Sequence, residues 1–336
     1  MIFVTGGTGI VGIRILYDLL KKGRDVRALK RSTSDLEIPR KVFQFYNENE
    51  GDTLFKKITW VEGDLRDIVS LKDGMRGCSE LYHAGALVSF KKEDRELLME
   101  TNVEGTANIV NAALDEGVER FCYISSVATL GRSASDGPTT EESERSEEEQ
   151  SNNYGSSKYF AEMEVWRGIE EGLNAVILCP SLIIGAGRPY ESTGQFFYQV
   201  KKGMKYYGPG KNAIVDVRTI SEAALLLMQK EVWKERFILS AENLTYKEIF
   251  TKIATAMNEK APQKEANKWM MNLIGNVSEV LSAIGIKTFV SKENMKSAQA
   301  EFEYDNSKLS RYIDIEYPTA ARSIQYFAEF YKQILY

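Results

Sequence analysis

Tyr154 and Lys158 stand one helical turn apart in the stretch SNNYGSSKYF, residues 151 to 160. A phenol and an ammonium at that spacing share a helix face and can move a proton together. A free phenol titrates at about pH 10 and is a poor base at neutral pH, whereas a neighbouring ammonium favours the phenolate. Spacing alone does not single out this pair. Tyr-x-x-x-Lys occurs five times, beginning at Tyr17, Tyr154, Tyr198, Tyr207 and Tyr304, in a chain with 17 Tyr. The choice among the copies depends on what surrounds each.

A second constellation lies at the start of the chain. VTGGTGIVG spaces Gly6, Gly9 and Gly12 three apart, with Thr8 and Ile10 inside the same loop. An apolar strand precedes them and a helical pattern follows. Gly6 suits a tight turn, Gly9 admits a pyrophosphate to the backbone, and Gly12 lets the helix approach the sheet. Free N–H groups and the dipole at a helix start favour phosphate. In this context the triplet reads as a dinucleotide loop. The end of the second strand would read the adenosine ribose, and an acidic residue there would select NAD. This chain has Lys30 and Arg31, followed by Ser32, Thr33 and Ser34. Two cations with hydroxyls suit a 2'-phosphate, so NADP is expected ahead of NAD. Asp64, next to Leu65 after the third strand, is placed to accept from the adenine amino group, or else to cap the segment that follows.

These residues need a scaffold, and the chain is large enough to build one. It has 336 residues, 43% of them hydrophobic. Short apolar runs alternate with amphipathic segments through the first half. That alternation predicts an α/β fold of Rossmann type, a doubly wound parallel sheet with a smaller C-terminal substrate lobe. Residues 1–184 are expected to form mainly the dinucleotide-binding domain and 185–336 mainly the lobe, with some later segments returning to the sheet. Residues 35–57 read as a partly helical insertion. Residues 132–151 read as a surface loop whose acidic cluster, from Glu141 to Glu149, is a solvated face.

Composition excludes several roles. A net charge of -5 gives no basic excess for nucleic acid. Three scattered cysteines (Cys78, Cys122, Cys179) form neither a disulfide framework nor a zinc site, and a reducing cytoplasm is the expected location. No metal is expected, and the start lacks a signal-peptide pattern. No apolar run reaches the roughly 18 residues of a membrane span. The nearest candidate, residues 269–290, reads as an amphipathic helix closing over a pocket.

The ordered set TGGTGIVG, GDLRD, NVEGT, YISSVATLG, YGSSK and DNSK resembles the extended short-chain dehydrogenase/reductase family across nearly the whole chain. The resemblance selects Tyr154, because only this copy follows the fifth strand and opens the next helix. It implies that Tyr154 exchanges a proton with a carbonyl/alcohol oxygen while hydride passes to or from nicotinamide. It further implies that Ser126 binds that oxygen, that Lys158 supports the phenol and the cofactor, and that Asn102 orders a water beside the lysine. His83, the single histidine, and Ala84 would lie on a loop near the cofactor, and Pro180 and Ser181 would line the nicotinamide.

Within that family the segments CPSLIIGAG and IVDVR look closer to dihydroflavonol-reductase-like and 3β-hydroxysteroid-dehydrogenase-like members. An oxidoreductase of an apolar carbonyl/alcohol substrate is therefore expected. The alternative is a nucleotide-sugar epimerase with tightly held NAD, in which Lys211 or Arg218 would meet the diphosphate. A non-catalytic dinucleotide sensor is the alternative of another class. Family members often pair through two helices, here residues 97–115 and 154–170, so a homodimer is expected, with Trp166 and Ile169 either at that interface or packed within the chain.

Overall fold

A computed structural model describes residues 1–131, 137–145, 152–283 and 291–336, with side chains omitted for 279–283. The acidic residues 147–149 and the end of the apolar stretch, 284–290, lie outside the described residues. Strand and helix alternate through β1 (Ile2–Thr5), α1 (Ile10–Lys21), β2 (Val26–Lys30), α2 (Glu37–Tyr46), α3 (Gly51–Lys56), β3 (Thr59–Glu62), α4 (Ile68–Met75) and β4 (Glu80–His83). They continue through α5 (Arg95–Leu98), α6 (Gly105–Asp115), β5 (Arg120–Ile124), α7 (Asn153–Glu170) and β6 (Ala175–Pro180). A π-helical turn, Met99–Glu104, joins α5 to α6.

Seven strands form one parallel sheet in the order β3-β2-β1-β4-β5-β6-β10, the last being Glu235–Leu239. The order reverses between β1 and β4, which opens a crevice at the carboxyl ends of the strands. Alternation along β1 shows how both faces are filled. Ile2 and Val4 pack with α1 on one side, whereas Phe3 joins Leu71, Ile109 and Val165 on the other. The expected doubly wound sheet is therefore present. The insertion between β2 and β3 is α2 and α3, held by an edge contact between Tyr17 and Phe43 at 5.5 Å.

Beyond β6 the chain adds β7 (Leu182–Ile184), α8 (Gly194–Lys201), β8 (Tyr206–Tyr207), β9 (Lys211–Asp216) and α9 (Val217–Gln229) before β10. Then follow β11 (Glu242–Thr245), α10 (Tyr246–Met257), β12 (Lys264–Glu265), α11 (Lys268–Ala283), α12 (Lys292–Ser297) and α13 (Ala320–Leu335). β7, β9 and β11 make a small sheet. Among the described residues no helix is long and apolar enough to cross a membrane. The aromatics of this part mostly fill its core: Phe197 stacks on Tyr331 at 4.3 Å and Phe196 meets Phe250 at 5.1 Å. Trp269 is the contrast, 73% exposed.

One surface expectation is corrected here. Glu141 is buried, and its carboxylate accepts from the Ile238 amide at 2.8 Å. Its carbonyl also accepts from Arg236. A strand edge with an unpaired N–H attracts a carboxylate, and only the folded chain brings β10 to this loop.

Candidate active site

The glycine loop follows β1 and turns into α1. Gly6 has φ +69°, and a Cβ there would sit 2.5 Å from the backbone of Ala84. A Cβ on Gly12 would fall 2.1 Å from the Gly6 carbonyl oxygen. The loop is thus closed against itself and against the end of β4, with backbone on both sides. Gly9 begins α1 with no side-chain cap, which leaves first-turn N–H groups for a ligand. Ser181, after β6, has a buried hydroxyl with no hydrogen-bond partner among the described residues. A turn with no room for a Cβ at Gly6 or Gly12, an uncapped helix start and an orphaned hydroxyl fit a dinucleotide lying across the crevice. Replacing Gly12 with Ala is expected to lower unfolding free energy by about 1–3 kcal/mol through overpacking. A urea midpoint equal to wild type would contradict the close approach.

At the adenosine end the picture differs in part from expectation. Lys30 and Glu62 are paired across β2 and β3, and Lys30 Nζ lies 3.5 Å from the Glu62 carboxylate. A carboxylate therefore does stand beside the first cation, contributed by the neighbouring strand. Arg31 is exposed, and its amide donates to Ser34 Oγ at 3.0 Å. Asp64 accepts from the Arg66 amide at 3.0 Å and its guanidinium at 3.1 Å. Partial burial opposes ionisation of Asp64, but these Arg66 bonds outweigh it and hold its pKa below the usual value. The Leu65 carbonyl accepts from Asn108 at 3.1 Å, which fixes this turn on α6.

The proton-handling groups meet after β5. Ser126 caps a short 3₁₀ turn, and its hydroxyl accepts from the Ala128 amide at 3.1 Å. Ser125 is committed elsewhere, donating to Glu162 at 2.6 Å. Asn152 caps α7 by accepting from the Gly155 amide, and this sets Tyr154 in the first turn. Burial raises the Tyr154 pKa above the ordinary phenol value, and a hydrogen bond with Ser126 works the other way. Lys158 is engaged on the sheet side. Its ammonium donates to the Tyr123 phenol at 2.7 Å and to the Ile124 carbonyl at 3.0 Å. Burial lowers the Lys158 pKa to about 8, against the opposing charge of Glu162. Phe90 packs on Tyr154 with centroids 5.4 Å apart.

Two further residues sit among buried partners. Asn102 lies in the π-helical turn. It accepts from the Leu87 amide at 2.7 Å and donates to the Leu87 carbonyl and to Ser157 Oγ. It pins the loop after β4 to α7. His83 ends β4 with 0% exposure, so its side chain lies in the core and not on a cofactor loop. Burial and the Lys158 charge push its pKa down to about 3, which keeps the ring neutral.

Glu162, one turn beyond Lys158, is a site-supporting residue that no local motif marks. Besides Ser125 it accepts from Thr129 at 2.9 Å, Trp166 at 3.3 Å and Arg236 at 3.0 Å. Trp166 is thus engaged within the chain, and Ile169 is 1% exposed. Ile169 packs internally, and Trp166 is half-buried. Among the described residues no group of three or more His, Cys, Asp or Glu could hold a metal.

A reversed parallel sheet, a glycine-rich turn closed against backbone and a Ser–Tyr–Lys set after the fifth strand define a dinucleotide-dependent oxidoreductase of the extended short-chain type. Comparison with known proteins agrees. The model of the NAD dependent epimerase/dehydratase family matches residues 2–238, and the chain belongs to that family. It is 34% identical over 318 residues to a Synechocystis sp. protein provisionally named a dihydroflavonol 4-reductase, covering 91% of this chain and 87% of that one. It is 31% identical over 249 residues to sterol demethylase protein B of Methylococcus capsulatus, covering 73% and 71%. The crystal structure of gox2253 superposes with a TM-score of 0.80 at 29% identity, covering 99% of this chain and 98% of that one.

Proposed function

We propose that this enzyme is an NADP-linked reductase of carbonyl groups on apolar molecules, with Tyr154 as general acid. The observation that carries the reading is the half-buried Tyr154, its phenol hydrogen-bonded to Ser126 and raised in pKa by desolvation. Such a phenol keeps its proton at neutral pH and suits donation to a carbonyl oxygen. Ser126 holds that oxygen in place. Lys158 binds the nicotinamide ribose and anchors the first turns of α7. The loop from Gly6 to Gly12 holds the pyrophosphate, with Thr8, Ile10 and Ala84 around it, and Pro180 and Ser181 face the nicotinamide. The bound dinucleotide supplies the hydride. Phe90 beside Tyr154 offers an apolar wall for the substrate. A relative named as a reductase at 34% identity supports the same direction.

The epimerase reading needs a cation for a diphosphate. Arg218 is bound to Asp216 at 2.6 Å and lies over the Tyr326 ring, and Lys211 is paired with Glu303. Both candidate cations are engaged, which favours the reductase. Three buried free thiols fit the cytoplasm. The deciding experiment is titration of the purified protein with NADPH and with NADH, followed by nicotinamide fluorescence. The exposed Arg31 at the end of β2 predicts roughly tenfold tighter binding of NADPH, from about one charge-assisted contact with the 2'-phosphate. Preference for NADH, or NAD that copurifies tightly, would transfer the assignment to the epimerase.

A further inference from the structure

Behind the site, buried polar side chains form a continuous column across the sheet. Lys158 donates to the Tyr123 phenol at 2.7 Å. That phenol is hydrogen-bonded to Thr106. Thr106 Oγ1 lies 3.1 Å from His83 Nε2, and His83 Nδ1 lies 2.6 Å from Thr5 Oγ1. Thr5 also accepts from the Gly85 amide at 3.2 Å. Tyr123, His83 and Thr5 are 0% exposed and Thr106 is 1% exposed. The column draws on β5, α6, β4 and β1, and it ends where Gly85 touches the turn at Gly6.

Polar groups buried this deeply are costly unless they satisfy one another, so the column acts as a unit. An ammonium has only donors, and Tyr123 must therefore accept from it. Tyr123, Thr106, His83 and Thr5 then run in sequence, with one ring nitrogen of His83 donating and the other accepting. This polarity requires a neutral ring, the state that burial and Lys158 impose on His83.

We propose that Tyr123, Thr106, His83 and Thr5 form a positioning column that holds the Lys158 ammonium from the sheet side and ties it to the backbone of the dinucleotide loop. The inference rests on Lys158 being a dinucleotide ligand. Groups facing Lys158 are Tyr123 from β5, Glu162 on its own helix, Cys179 from β6 and His83 from β4. Deleting the Tyr123 hydroxyl removes an acceptor from the ammonium and favours its neutral form. The pKa of Lys158 must then fall below that of wild type.

The test is the NADPH dissociation constant measured by fluorescence between pH 6 and 10. In wild type, binding weakens as pH rises through the titration of Lys158. In Tyr123→Phe the break moves down by roughly one pH unit, the equivalent of one hydrogen bond to a charged group. Thr106→Val moves it the same way by less, and Thr106→Ser restores it. A Tyr123→Phe break at the wild-type pH overturns the column. Should Tyr123→Phe fail to fold, the Thr106 pair decides, and equal breaks in Val and Ser overturn the proposal. A wild-type profile with no break removes Lys158 from the dinucleotide site, and so sinks the reading of the site itself.

Discussion

Tyr154→Phe is expected to lower turnover about a thousandfold while leaving NADPH binding within about twofold of wild type, the range of a lost general acid. The substitution removes one oxygen and keeps the ring. Its packing on Phe90 stays, as does the start of α7, which Asn152 caps. Only the proton donor and its bond to Ser126 disappear. Burial makes this phenol a weaker acid than a free one, so at neutral pH it holds its proton until the carbonyl oxygen gains charge. The check is single-turnover oxidation of bound NADPH with a panel of aromatic and aliphatic aldehydes. A Phe variant that reduces them at the wild-type rate would leave Tyr154 without a chemical role and would revive the sensor reading.

Arg236→Met is expected to cost about 3–5 kcal/mol of unfolding free energy, because it breaks the ion pair of a buried carboxylate and leaves only the Lys158 charge near it. Glu162 has no exposed side-chain surface, while Arg236 keeps 21%. Ser125, Thr129 and Trp166 still donate, yet none carries charge. Arg236 also donates to the Glu141 carbonyl, so its loss frees the segment after the active-site strand. Against a typical total of about 5–15 kcal/mol this is a large fraction. Adding Glu162→Leu should recover much of the loss, since an apolar pair needs no compensation. Urea midpoints of the single and double variants measure this. A single-variant loss under about 1 kcal/mol would mean that the hydroxyl donors suffice.

The strength of these two expectations tracks how far the sequence was readable. The glycine loop and Tyr154–Lys158 are legible because each is a local pattern, with strand or helix geometry supplying the distances. The alternating runs likewise give the sheet, since every strand from β1 to β6 is bounded by its own helix. What escapes is everything that depends on strand neighbours. Glu62 meets Lys30 only through the register of β2 with β3. Glu141 looks like one of many surface acids until β10 comes beside it. His83 reads as a loop residue because its partners, Thr5 and Thr106, lie 78 and 23 positions away. Asn102 is found by motif, but its task is set by Leu87 and Ser157.

The reach of the Glu162 network has a further consequence for how the protein is made. Ser125 and Thr129 precede Glu162 by 37 and 33 residues, but Arg236 follows it by 74. At about 5–20 residues per second, a ribosome needs several seconds to go from the acid to its counter-ion. During that interval the nascent chain already carries the glycine loop, Tyr154 and Lys158, yet Glu162 lacks the guanidinium that forms its ion pair. The active site is therefore written early and locked late, by a strand that contributes nothing to the chemistry.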